Sequence, residues 1–158
     1  MTGVQTCALP ISFSIPLDFY QGLETPGDVI VLDTGYLVTG AGFEFQITGG
    51  FRPLKFFRVN AEGNLLWKKL IYFPGKSLYY GQSGTAQQLK DGHYVLGRSI
   101  RDTATLNVDF LVVKFTAEGD TIFTREFGGA EQDEGYYTAP TSDTGFVFVG
   151  TTESYGDV

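Results

Sequence analysis

Few side chains in this sequence could do chemistry, and their spacing decides what kind. His93 is the only histidine, and it opens "HYVLG" directly after Asp91-Gly92. A lone imidazole could act as a general base or a metal ligand. With one His, and no cysteine except Cys7, a typical zinc site cannot be assembled from Ser12 onward, and no motif marks a serine as the partner of His93. His93 therefore reads as a strand-opening residue beside a turn. Carboxylates are the next source of chemistry. "GGAEQDEGYY" gathers Glu131, Asp133 and Glu134, raw material for a glycosidase pair or a calcium site. The stretch lacks the alternating Asp/Asn-Gly pattern of a calcium loop, and the corresponding "FPGKSLYYGQSG" contains no acid. A solvated acidic loop is the expectation. Asp33, Asp91 and Asp143 recur before strand-like runs, where turn geometry accounts for them. Tyr79-Tyr80 and Tyr136-Tyr137 could stack on a sugar or a peptide. Their recurrence at one place in successive units points instead to packing between repeats. Neither "GAG" at Gly40–Gly42 nor "FGG" at Phe127–Gly129 has the spacing of a phosphate-cradling loop. No catalytic, metal or cofactor-binding residue is assigned on this basis, and ligand-binding residues stay open.

Composition narrows the classes further. A chain of 158 residues suits one domain with a real core. With 42% hydrophobic and 15% aromatic residues and a mean hydropathy of −0.01, disorder is not expected. No apolar run approaches the roughly 20 residues of a membrane-spanning helix. The net charge is −7 and the eleven basic residues are dispersed, which argues against a surface that tracks nucleic-acid phosphates. Twenty-one glycines beside many Tyr, Phe, Val and Thr point to short strands and tight turns.

The first eleven residues, "MTGVQTCALPI", are similar to the translation of a common sequencing adaptor read from a gtg start. Met1–Ile11 is therefore expected to be adaptor-derived, and the native chain to start within residues 12–158. Cys7 and Met1 fall inside that segment, so the remainder offers no disulfide and no thiol nucleophile. The natural N-terminus is expected to be missing, which makes the absence of a signal peptide uninformative.

Any functional side chain must be held by repeated elements. "NAEGNLLWKK" at Asn60–Lys69 returns fifty-six residues later as "TAEGDTIFTR" at Thr116–Arg125. "DTGYLVTG" at Asp33–Gly40 matches "DTGFVFVG" at Asp143–Gly150, with "DGHYVLG" at Asp91–Gly97 between them. Their closing glycines Gly40, Gly97 and Gly150 mark a similar period. Each period holds four strand-like runs, in the second unit near Gly84–Leu89, His93–Ser99, Asp109–Thr116 and Thr121–Phe127. "GYLVTG" and "FLVVKF" read as strands buried on both faces, and "TIFTREF" as an amphipathic rim strand. "NAEG" and "TAEG" fit hairpin turns that need a left-handed residue at Gly63 and Gly119.

Four antiparallel strands at a period above 50 suggest blades of a β-propeller. The stretch "VDFLVVKFTAEGDTIFTREFGGAEQDEGYYTAPTSDTGFVFVGTT", Val108–Thr152, resembles the long propeller repeats of bacterial secreted and surface proteins, of the form "DGGYIIAGYT…YDFYLVKLDSNGNLLWSKTFGG". Many such proteins end in a type IX secretion sorting domain. The resemblance covers residues 24–158 and rests on structural motifs. It implies an all-β chain of about two and a half four-stranded antiparallel blades, near residues 26–73, 84–128 and 135–158. The third blade would be incomplete and the ring truncated at both ends.

The resemblance also implies a secreted or cell-surface protein. The function expected is a non-catalytic binding or display module whose face loops contact a glycan or protein partner. Neither nucleic acid, cofactor nor membrane span is expected. An enzyme propeller is the alternative: a quinoprotein-like dehydrogenase, a lyase or a glycosidase. "GNLLW" resembles quinoprotein repeats, which carry a Trp in each blade, but Phe123 replaces Trp67 in the second unit. "SDTG" at Ser142–Gly145 resembles the Asp-box of sialidase propellers, yet Phe146-Val147 replaces the Thr-Trp that should follow. A purely architectural array is the third reading.

Overall fold

The computed structural model describes residues 23–43, 51–79 and 85–155. The adaptor-like segment, Tyr80 and the Asp157-Val158 pair lie outside these. Among the described residues every regular element is a strand, and no helix could cross a membrane. The strands are β1 (Leu23–Leu32), β2 (Gly35–Phe43), β3 (Leu54–Val59), β4 (Leu65–Ile71), β5 (Lys76–Leu78), β6 (Thr85–Gln88), β7 (Tyr94–Asp102), β8 (Val108–Phe115), β9 (Thr121–Phe127), β10 (Asp133–Pro140) and β11 (Phe146–Thr152). They form three antiparallel sheets. The first has the order β1-β2-β3-β4. The second runs β5-β7-β8-β9, with β6 also paired to β7, and the third is β10-β11.

The apolar runs became the central strands, as two-sided burial requires. All six residues of β3 are buried, and β8 is buried on both faces along most of its length. The amphipathic runs became the outer strands β4 and β9, which are largely exposed. One expected strand differs. The first strand of the second unit was placed at Gly84–Leu89 alone, but two pieces pair with β7. β6 lies opposite Tyr94–Gly97, and β5 opposite Ile100–Asp102. β7 accordingly runs three residues beyond the expected Ser99.

The repeated words do encode hairpin turns. Asn60 N–H donates to Asn64 O (3.0 Å) and Gly63 N–H to Asn60 O (3.1 Å). Thr116 and Gly119 repeat both bonds at 2.9 and 3.0 Å. Gly63 and Gly119 have φ of +87° and +85°. Each following strand has a register shift at the same place, Arg58/Val59 and Lys114/Phe115. These bulges turn Trp67 and Phe123 inward while Leu66 and Ile122 face solvent.

The sheets stack face to face. Leu37, Leu54 and Phe56 of the first sheet meet Leu96, Leu111 and Phe115 of the second. Phe56 and Phe115 lie 4.4 Å apart between ring centroids. Val95, Phe110 and Val112 on the other face of the second sheet meet Phe146 and Phe148 of the third. One hydrogen bond recurs across both interfaces. Ala86 N–H donates to Asp28 Oδ2 (2.9 Å), and Thr138 N–H donates to Thr85 Oγ1 (2.6 Å). Trp67 packs against the first interface and Phe123 against the second, so the two aromatics have corresponding environments.

The glycine landmark needs a correction. Gly40 pairs with Lys55, and the residue paired with the equivalent Leu111 is Arg98, not Gly97. Gly150 likewise stands four residues beyond Phe146, as Arg98 stands four beyond Tyr94, each the first paired residue after its hairpin turn. Gly97 therefore lies one position early, and an arginine occupies the place that the other units give to glycine.

Candidate functional site

A groove of about 510 Å³ opens between the first and second sheets, at the end where their turns gather. Asp33 and Thr34 come from the β1–β2 turn, Glu118 from the β8–β9 turn, and Trp67 from the start of β4. Tyr94 and Arg58 line it from the ends of the central strands. The Arg58 guanidinium donates to Thr34 Oγ1 (2.6 Å), Thr34 O (3.4 Å), Tyr36 O (3.3 Å) and Val59 O, tying the β1–β2 turn to β3. Lys114, the equivalent residue of the second sheet, reaches Asp91 Oδ2 of the β6–β7 turn at 3.1 Å. A basic residue at this position thus anchors the neighbouring turn in both sheets.

Trp67 is set by its neighbour. A Cβ on Gly119 would come within 2.9 Å of the indole and of Lys69 Cγ, so the bare glycine lets the ring lie against the next turn. Lys69 Nζ then meets Asp120 Oδ1 at 2.8 Å. Tyr94 is 3% exposed. Burial raises its pKa, Arg58 opposes and Glu118 adds to the rise, so the phenol stays protonated and able to donate. The groove therefore offers an indole beside Asp33, Glu118, Gln88 and a phenol. An apolar platform with convergent polar groups suits a polyhydroxylated or peptidic ligand.

The residues singled out by sequence are placed elsewhere, Asp33 excepted. His93 follows the Leu89–His93 turn, its Nδ1 3.0 Å from Asp91 Oδ2. Asp91 is held below the usual carboxylate range. Burial opposes this, but the hydrogen bonds of Lys114 and His93 outweigh it. Asp143 accepts from Gly145 N–H within its own turn. In "SDTG" the left-handed residue is Thr144 (φ +70°), whereas Asp33-Thr34 forms a two-residue turn closed by Leu32 and Gly35. The matched words thus make different turns.

Two expectations are overturned. The acidic stretch is not uniformly solvated, because it enters β10. Asp133, the first residue of β10, turns inward and is 3% exposed, its neighbour Glu134 is half-buried, and Glu131, before the strand begins, stays exposed. Tyr136 and Tyr137 do not pack between repeats, since the shift between Gly135 and Tyr137 leaves both exposed. Tyr79 lies 5.9 Å from the Arg101 guanidinium. Gly40–Gly42 are strand residues of β2, and Phe127–Gly129 end β9, so neither forms a phosphate loop. Among the described residues no group of three or more His, Cys, Asp or Glu could hold a metal ion.

Arg58, Tyr94 and Glu118 were not legible as site residues. The one available signal was the charge of Arg58 inside the apolar run "KFFRV". No protein family and no curated protein matches this chain.

Proposed function

We propose that the chain is a run of β-propeller blades from a secreted or cell-surface protein and serves as a non-catalytic binding module. The groove around Trp67 would be its contact site for a glycan or protein ligand. The observation that carries this reading is the groove itself, which is lined by an indole beside carboxylate and amide groups, with the buried Tyr94 phenol at its wall. The propeller assignment is supported by the recurring Asp28–Ala86 and Thr85–Thr138 bonds, the matched bulges and the corresponding settings of Trp67 and Phe123. Stacked equivalent sheets of this kind are the blades of a propeller when they close around an axis.

Trp67 is the only tryptophan, so intrinsic fluorescence reports on the groove directly. Glycan-array screening followed by fluorescence titration should give a saturable change. The Asp33→Asn/Glu118→Gln double variant should weaken it about tenfold, equivalent to roughly 1.4 kcal/mol. Turnover on a substrate panel would favour an enzyme propeller instead. Neither binding nor turnover would leave an architectural array.

A further inference from the structure

At the end of the sheets opposite the groove, a cavity of about 210 Å³ lies between the second and third sheets. Its walls are the rings of Phe110, Phe127, Phe148 and Tyr155, with the Asp133 carboxylate among them. Phe110 and Phe148 have centroids 4.6 Å apart, and Phe127 and Phe148 are 5.0 Å apart. Tyr155 OH donates to Gly128 O at 2.7 Å, which fixes the fourth ring. Gly150 keeps the space open, because a Cβ there would stand 2.1 Å from Glu134 O and 2.7 Å from the Phe110 ring.

The corresponding place between the first two sheets has no such chemistry. Phe110 stands where the first sheet has Leu54, and Phe127 where it has Ile71. Phe148 stands where the second sheet has Leu96, and the Asp133–Thr152 pair replaces the Leu78–Ile100 pair. Leu54, Leu78, Leu96 and Ile100 are all buried in the core between the first and second sheets. Packing alone therefore does not call for aromatic rings and a carboxylate here.

Asp133 is 3% exposed, and only one of its oxygens is used. Oδ2 accepts from Gly129 N–H (2.9 Å) and Ser154 Oγ (2.6 Å), while Oδ1 has no hydrogen-bond partner. Its pKa lies below the usual carboxylate value. Burial pulls it up, but the hydrogen bonds from the Ser154 hydroxyl and Gly129 N–H outweigh that effect. A buried carboxylate with a vacant acceptor beside aromatic rings suits a cation.

We propose that this cavity binds an alkylammonium group, which would lie against the lining rings of Phe110, Phe127, Phe148 and Tyr155 and be neutralised by Asp133. The site is independent of the Trp67 groove, and the failure of either leaves the other standing.

The test is calorimetric titration of the 158-residue chain with choline and with 3,3-dimethylbutan-1-ol, its neutral isostere. Choline should bind saturably and at least about tenfold more tightly than the isostere. Asp133→Asn keeps the acceptor for Gly129 N–H and should remove that preference. Phe148→Leu, which installs the residue of the equivalent position, should weaken choline in a chain of unchanged melting cooperativity. Equal affinities for the two probes, no binding of choline, or undiminished choline binding by Asp133→Asn would overturn the proposal. A trimethyl-lysine peptide supplies the second arm. Tighter binding than choline marks a protein partner as the source of the ammonium group, and weaker binding marks a free small molecule.

Discussion

The side chain of Arg98 is 3% exposed, and its Nε and Nη1 have no hydrogen-bond partner. Burial, and then repulsion from Arg52, pull its pKa down to about 10. Arg52 itself, just before β3 of the first sheet, donates to Thr25 Oγ1 at 3.1 Å. A buried charge of this kind is commonly worth less than a well-packed apolar residue of similar volume. Arg98→Met keeps the stem and removes the charge, and should raise the unfolding free energy by about 1–3 kcal/mol, read from denaturant midpoints. The depressed pKa means that the unfolded chain holds the proton more firmly. The penalty is then complete below pH 10 and fades above it. The gap between variant and parent should stay constant from about pH 6 to 9. A less stable Arg98→Met would show that the guanidinium is satisfied.

At the scale of the element, the hairpin turns separate two reasons for a glycine. Gly92 has φ +82° and a Cβ there would meet nothing within 4 Å, so only the left-handed backbone demands glycine. Gly119 has φ +85° and also touches Trp67. Gly92→Ala should cost about 1–2 kcal/mol. Gly119→Ala should cost distinctly more and shift the Trp67 emission, whereas equal costs would mean that the indole moves aside freely. The turn at Thr141–Gly145 presents the converse case. Its Thr141 N–H to Gly145 O bond repeats that of the other turns, yet the left-handed position holds Thr144 at φ +70°. Thr144→Gly should therefore stabilise by about 1 kcal/mol, measured by thermal melting.

At the scale of the whole molecule, the sheets depend on one another for burial. The second sheet is covered on both faces, whereas the third pairs β11 only with β10 among the described residues. Val147 and Val149 of β11 are 53% and 57% exposed beside that unpaired strand edge. Such an edge is a template for pairing with another chain. The 158-residue chain should therefore self-associate with concentration in sedimentation experiments, and Val149→Lys should shift it towards monomer. A monodisperse monomer at high concentration would show that the edge is protected.

Except for the split of the second unit's first strand into β5 and β6, the sequence by itself determined the central and outer strands, their repeat and the turns at Gly63 and Gly119. Each of these follows from local periodicity and from the backbone demands of a few residues. Trp67 and Phe123 could be matched because both follow such a turn at the same distance. The tertiary structure alone decided which side chains share a space. Asp133 stands two residues from Glu131 in sequence, but Asp133 opens β10 and is buried, whereas Glu131 lies before the strand and is exposed. Gly97 fits the sequence motif, yet Arg98 is the residue that pairs with Leu111, a shift of one position that strand pairing alone decides. The groove brings together Asp33, Trp67, Tyr94 and Glu118 from four separate strands and turns. That convergence is fixed by the packing of one sheet on the next, which sequence spacing does not encode.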